Sequence, residues 1–322
     1  MKRFFLFPAV MLLLIFSFLN AGCRQAKPVK TNGKINVTSV IFPSYDFVRA
    51  IAGDRVNLVM LLPPGSESHS FEPSPFNIIT IKESNLFIYP GSPNAKWADR
   101  ILDSLGILKE KIKVLKLIDL VEVVEEEIVE GMEDDDDDDA ANNKDFLTLD
   151  EHVWTSPRNV KVIVAAITEA LCELDNANAD YYKHNAADYS ARLDELDAGF
   201  KSVIKGAKRK TIIFGDRFPF RYLADAYGLE YYAAFPGCST ETEASAATIA
   251  FLINKVRSEH IPVIFHIELS NERMADAISE ATGAKKLLLH SGQNVSKKDF
   301  DSGINYIDIQ KANVLNLKEA LW

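Results

Sequence analysis

Three histidines and one aspartate stand where side chains from distant parts of the chain can meet. His69 lies in the loop Leu61–Pro75, LLPPGSESHSFEPSP, after an apolar run of strand length at Val56–Leu62. His152 comes just before a helical pattern opened by Thr155-Ser156-Pro157, while Asp216 in FGDRFPF and His290 in LLLHSGQN each close an apolar run. Loops at the carboxyl ends of strands are where α/β domains hold ligands. Three imidazoles and a carboxylate form a nitrogen and oxygen donor set of borderline softness, which suits zinc, with manganese or iron less favoured. No HxxxH or CxxC pair is present, so spacing alone leaves their convergence open.

Other side chains compete for the same role. Glu241 and Glu243, in PGCSTETEAS, are alternative second-half carboxylates, although acidic residues also suit the start of the helix that follows. His266 and Glu268 close another apolar run and are alternative metal ligands or groups that orient a ligand. His184 and His260 read as exposed helix residues. Cys238 is soft enough for zinc, but beside a glycine it reads as a small packed residue.

The elements that must position these groups alternate between strand and helix lengths. In the first half the strand candidates are Ile35–Phe42, Val56–Leu62, Leu86–Tyr89 and Lys113–Ile118; the helical stretches are Tyr45–Ala52, Asn77–Ser84 and Lys96–Leu105. The second half repeats this with strands at Lys210–Phe214, Glu230–Phe235, Pro262–Ile267 and Lys285–Leu289. Helices are expected there at Phe220–Tyr227, Ser245–Glu259, Asn271–Thr282 and Ile304–Leu321. Between the halves, Ala179–Ile204 keeps Tyr182, Ala186, Tyr189, Leu193 and Leu196 on one helical face. The reading is an α/β protein of two lobes, 35–178 and 206–322, joined by a linker helix at 179–205. A cleft between two lobes is a preferred ligand site.

The chain has 322 residues, 47% hydrophobic and 25% charged, which is an ordinary globular balance with room for two cores. A net charge of -10 without any basic stripe excludes nucleic acid as a partner. Three scattered cysteines exclude a disulfide framework. Residues 1–22 carry Lys2 and Arg3, an apolar stretch Phe4–Leu19 and small residues before Cys23, the pattern of an export signal. Leu19–Cys23 resembles a bacterial lipoprotein cleavage site, with Asn20 where leucine is usual, and implies lipidation of Cys23. Residues 23–34 then read as a tether that holds the protein outside the cytoplasmic membrane. A further segment, 122–145, carries the run EEEIVEGMEDDDDDD and is expected to be a disordered acidic loop.

Several segments together resemble the zinc and manganese solute-binding receptors of bacterial ABC importers, the solute-binding protein 9 family. HSFEPSP at His69–Pro75 and DEHVWTSP at Asp150–Pro157 carry the resemblance most specifically; YLADAYGL at Tyr222–Leu229, ATGAK at Ala281–Lys285 and NVLNLKEAL at Asn313–Leu321 extend it. The resemblance implies two lobes of four-stranded sheets joined by one rigid helix, with the metal held between them by four loops. It puts the first-lobe ligands on His69 and His152. Its third ligand position falls on Arg217, which cannot ligate, so the adjacent Asp216 is the substitute; the fourth falls on His290. In many such receptors the loop before the second histidine is histidine-rich and is thought to collect metal, whereas here carboxylates replace the imidazoles.

The function implied is that of a monomeric, lipid-anchored receptor that binds Zn(II) outside the cell and delivers it to a membrane permease, with manganese or iron as the alternative cargo. A zinc hydrolase would keep an open coordination position and a base; HExxH and a serine elbow are both absent. An adhesin is permitted by the anchor without being supported by any residue.

Overall fold

A computed structural model of the chain describes residues 32–68, 70–91, 95–132, 149–239 and 243–322. The first lobe contains β1 (Asn36–Ser39), α1 (Phe42–Ala52), β2 (Asn57–Met60), α2 (Pro75–Lys82), β3 (Leu86–Tyr89), α3 (Lys96–Ser104) and β4 (Lys113–Lys116). Then come α4 (Pro157–Leu174) and the 27-residue α5 (Ala179–Lys205). The second lobe contains β5 (Thr211–Phe218), α6 (Arg221–Tyr227), β6 (Glu230–Pro236), α7 (Ala246–Ser258), β7 (Val263–His266), α8 (Arg273–Thr282), β8 (Lys285–Leu288), α9 (Lys297–Ser302) and α10 (Tyr306–Leu321).

The strands pair as β2-β1-β3-β4 and as β6-β5-β7-β8, every neighbour parallel, so the second sheet repeats the order of the first. Parallel sheets need cover on both faces, which explains why Leu86-Phe87-Ile88-Tyr89 is buried without alternation. The long helix α5 buries Tyr182, Ala186, Tyr189, Leu193, Leu196 and Phe200 at spacings of three and four. With that stripe it packs on α1, α4 and α10, and one apolar cluster runs from Val37 and Phe47 of the first lobe to Phe214 and Leu317 of the second. Among the described residues no helix is long and apolar enough to cross a membrane.

Several boundaries differ from the sequence expectation. The first strand stops at Ser39 because Pro43 opens α1 near its first turn, so Phe42 is helical rather than extended. β5 runs on to Phe218 through a register shift between Phe214 and Arg217, where polar residues hide a strand from apolar counting. The short polar α9 was not expected; Ser296 caps it by accepting from the Asp299 amide.

The expectation of disorder for the acidic segment is corrected over Glu122–Met132. Val123, Val124, Val129 and Met132 pack against the core. Glu125 pairs with Leu149 in an antiparallel bridge, and the Asp150 amide donates to the Val124 carbonyl at 3.0 Å. Composition counts charges but not their partners, and here the partners are supplied by the second lobe. Residues 133–148, with the aspartate run, lie outside the described residues.

Candidate functional site

His152 is completely buried, and so are Asp150 and Glu151 beside it. Asp150 Oδ1 accepts from the His152 amide at 2.7 Å and lies 2.9 Å from its Nδ1. A carboxylate so placed accepts a hydrogen bond from Nδ1–H and leaves Nε2 as the metal-donor nitrogen, the common support for a metal-binding imidazole. Burial lowers the affinity of this ring for a proton, but the Asp150 charge and hydrogen bond, with Glu151 and Glu126, outweigh it and raise the His152 pKa. The turn is held further by Thr155 Oγ1, which donates to the His152 carbonyl at 2.8 Å.

The second lobe closes over this segment. Trp154 Nε1 donates to the Ser291 carbonyl, Tyr306 Oη to the Trp154 carbonyl and Gln293 Nε2 to Glu151 Oε1. Tyr222, on α6, donates to the Asp150 carbonyl at 2.8 Å. The turn after β6 reaches the imidazole itself: a Cβ on Gly237 would lie 3.3 Å from His152 Cε1 and 2.9 Å from the Phe218 carbonyl oxygen, so only glycine fits there. Cys238 follows, its thiol raised well above its usual pKa by burial and by the charges of Glu151, Glu126 and Asp150.

His69, Glu241 and Cys23 lie outside the described residues. The loop that carries His69 is anchored on both sides. Gly65, at a φ of 84°, donates to the Val295 carbonyl at 2.8 Å, and Ser74 and Asn77 form a capping box at the start of α2. Ser68 and Phe71 line a cavity of about 20 Å³ together with Trp97, Glu151 and Gln293, so this loop borders the His152 turn.

Asp216 is buried at the bulge of β5, where its Oδ1 accepts from the Arg217 amide at 2.8 Å and its Oδ2 from the Ile267 amide at 3.2 Å. Arg217 points to Glu67, 3.4 Å away, and donates to the Ser239 carbonyl at 3.0 Å. His290 Nδ1 accepts from the Gly292 amide at 3.0 Å and is 3.4 Å from Glu268 Oε2. Glu268 also holds the loop after β8, accepting from the Ser291 amide and hydroxyl and from the Gln293 amide. Glu67, Arg217, Glu268, Ser291 and Asn294 surround a second cavity of about 30 Å³.

His266 Nδ1 is 3.2 Å from the Ile267 carbonyl oxygen and 3.7 Å from Glu272 Oε1. Glu243 is largely exposed, 3.8 Å from Arg273, and His184 is exposed on α5 beside Asp188. Among the described residues, no three His, Cys, Asp or Glu side chains are gathered closely enough to hold a metal ion. His152, Asp216 and His290 therefore do not form such a group in this arrangement. Asp150 escaped the reading of donors in the sequence, although its place two residues before His152 is the signal that identifies a histidine-orienting carboxylate.

The high-affinity zinc uptake system protein ZnuA of Bacillus subtilis is 32% identical over 314 residues, covering 97% of this chain and 95% of that protein. The zinc-binding lipoprotein AdcA of Streptococcus pneumoniae is 29% identical over 312 residues, 97% of this chain but 60% of the relative's length. Among solved structures, the Zn(II)-bound ZnuA-like domain of Streptococcus pneumoniae AdcA superposes with a TM-score of 0.73 at 28% identity, covering 90% of this chain and 99% of that one. The metal-dependent lipoprotein YcdH from Bacillus subtilis gives 0.72 at 29% identity, covering 90% and 100%. A family model matches residues 37–320, and with that span the chain belongs to the zinc-uptake complex component A, periplasmic, family.

Proposed function

We propose that this protein is an extracytoplasmic receptor that binds Zn(II) and passes it to the permease of an ABC importer, as a monomer anchored through lipidated Cys23. The observation that carries the reading is His152: a wholly buried imidazole, held by Asp150 at the junction of two lobes, in a chain of a zinc-uptake family. His69 and His152 are the first-lobe ligands in this reading. Asp216 and His290 complete the set, and each gives up backbone amides to do so, because their donor atoms now accept from Arg217, Ile267 and Gly292. Zinc compensates such losses, since a divalent ion on four protein donors is worth far more than an amide hydrogen bond of about 1 kcal/mol.

Competition titration of purified protein against a chelating dye tests the reading. One zinc per chain, with affinity lost in His152→Ala and His69→Ala, is expected; uptake of manganese in preference to zinc would redirect the assignment to the other cargo. Anomalous diffraction at the zinc edge from loaded crystals would decide between Asp216, Glu241, Glu243 and His290. Mass analysis of the protein from membranes, beside Cys23→Ala, tests the anchor.

A further inference from the structure

The segment Glu122–Met132 reaches from the end of the first lobe onto the second and touches it at three levels. Glu126 Oε1 accepts from the Cys238 amide at 2.6 Å. Glu127 pairs with Arg221 at 2.9 Å and accepts from the Tyr231 hydroxyl at 3.2 Å. Gly131 lies against the Phe251 ring so closely that a Cβ there would overlap it. This segment and the chain at Leu149-Asp150, bridged at Glu125 and Leu149, meet on one second-lobe side chain: the Tyr222 hydroxyl accepts from the Val124 amide at 3.3 Å and donates to the Asp150 carbonyl.

These contacts converge on the buried imidazole from two directions. Through Tyr222, the segment fixes the backbone of Asp150, whose carboxylate holds His152 Nδ1. Through Glu126, the segment fixes the Gly237-Cys238 turn, which packs at Cε1, the ring atom next to Nδ1. We propose that Glu126, Glu127 and Tyr222 are positioning residues that latch Glu122–Met132 onto the second lobe, hold His152 in its donor orientation, and limit the rate at which zinc leaves.

This rests on the zinc-receptor reading and adds a kinetic role that the donor set does not supply. A pair of charge-assisted hydrogen bonds broken at the latch lowers the barrier to its undocking, and affinity differences among variants of one site are expressed mostly in dissociation. Stopped-flow transfer of zinc to a chelating dye, with hydrogen exchange of the Asp150 and Cys238 amides on the same samples, tests it. Tyr222→Phe, a conservative change, and Glu127→Ala are each expected to expose both amides and to speed release about tenfold. The pair Glu127→Ala with Arg221→Ala should release zinc no faster than Glu127→Ala alone, because the other Arg221 pair, with Asp225, lies within α6 and not across the latch. Lys161→Ala, which removes the exposed pair between Lys161 and Asp194, is the control for general destabilisation and should leave release unchanged. Amides that exchange faster with zinc release unaltered overturn the latch alone, and so do amides unaffected by Tyr222→Phe and Glu127→Ala. Wild-type protein that takes up no zinc, measured by mass spectrometry under native conditions, overturns the receptor reading and the latch with it.

Discussion

Asp150 does two things with one oxygen, accepting from the His152 amide and from its imidazole. Truncation to alanine removes both bonds at a buried position, so Asp150→Ala should weaken zinc binding by about 10- to 100-fold, the usual cost of losing a carboxylate behind a metal-bound histidine. The pH dependence follows from the same pair. Burial opposes protonation of His152, but the neighbouring carboxylates raise its pKa above the ordinary imidazole value. A raised pKa adds stability to the metal-free protein that is fully present below about pH 6.5 and lost as pH rises through the folded value. Thermal melts of metal-free protein from pH 5 to 9 should therefore show wild type gaining on Asp150→Asn towards acid. Zinc must displace that proton, so its affinity should fall as pH drops through the same window, and the fall should move to lower pH in Asp150→Asn. Dye-competition titrations across that range would show it; parallel curves for the two proteins would contradict the role of the carboxylate.

The bulge of β5 shows how one element shapes a loop. Gly215 sits so close to α8 that an added Cβ would lie 2.5 Å from the Ala275 Cα and 2.6 Å from its amide nitrogen, backbone atoms that cannot swing aside. Gly215→Ala should therefore cost about 1–3 kcal/mol by overpacking and push Asp216 out of its bonds to the Arg217 and Ile267 amides. Chemical denaturation would measure the loss, and a midpoint equal to wild type would refute it. Such details mark where the sequence stops being legible. The alternation of strands and helices, the α5 stripe and the helix opened by Pro157 are written in apolar spacing, because burial of one face depends only on local order. The extension of β5 through Gly-Asp-Arg is not, since a bulge is set by the packing partner and not by its own residues. In the same way, Glu126 and Glu127 read as solvated charges until Cys238 and Arg221, about a hundred positions away, are brought to them. Asp216 and His290 were legible as donors, but the backbone amides that now occupy them were not.

For the molecule as a whole, the two lobes are bonded to each other through main-chain groups as well as side chains. The Phe42 amide donates to the Gln293 carbonyl, the Gly65 amide to the Val295 carbonyl, and Asn294 Nδ2 to the carbonyls of Pro63 and Ser66. Asp46 accepts from the Tyr306 amide at 2.7 Å, and Arg49 donates to the Ile304 carbonyl. Rigid closure about α5 would have to break this set together, so metal loading should proceed by local rearrangement of loops. X-ray scattering of metal-free and zinc-loaded protein is expected to give the same radius of gyration; a contraction on loading would show hinge motion instead. Zinc at a thousand times its dissociation constant should nonetheless stabilise the fold by about 4 kcal/mol, seen as a rise in melting temperature of several degrees.

The bridge between Glu125 and Leu149 brings two distant positions side by side on an otherwise parallel architecture. Chain spliced between such neighbours adds a closure penalty that grows only with the logarithm of its length, about 0.6 kcal/mol for each doubling. The interval between residues 132 and 149, which leaves the contacts of Glu126, Glu127 and Gly131 in place, is thus a ready port for grafting: a small fluorescent domain carried there should be tolerated with melting temperature nearly unchanged.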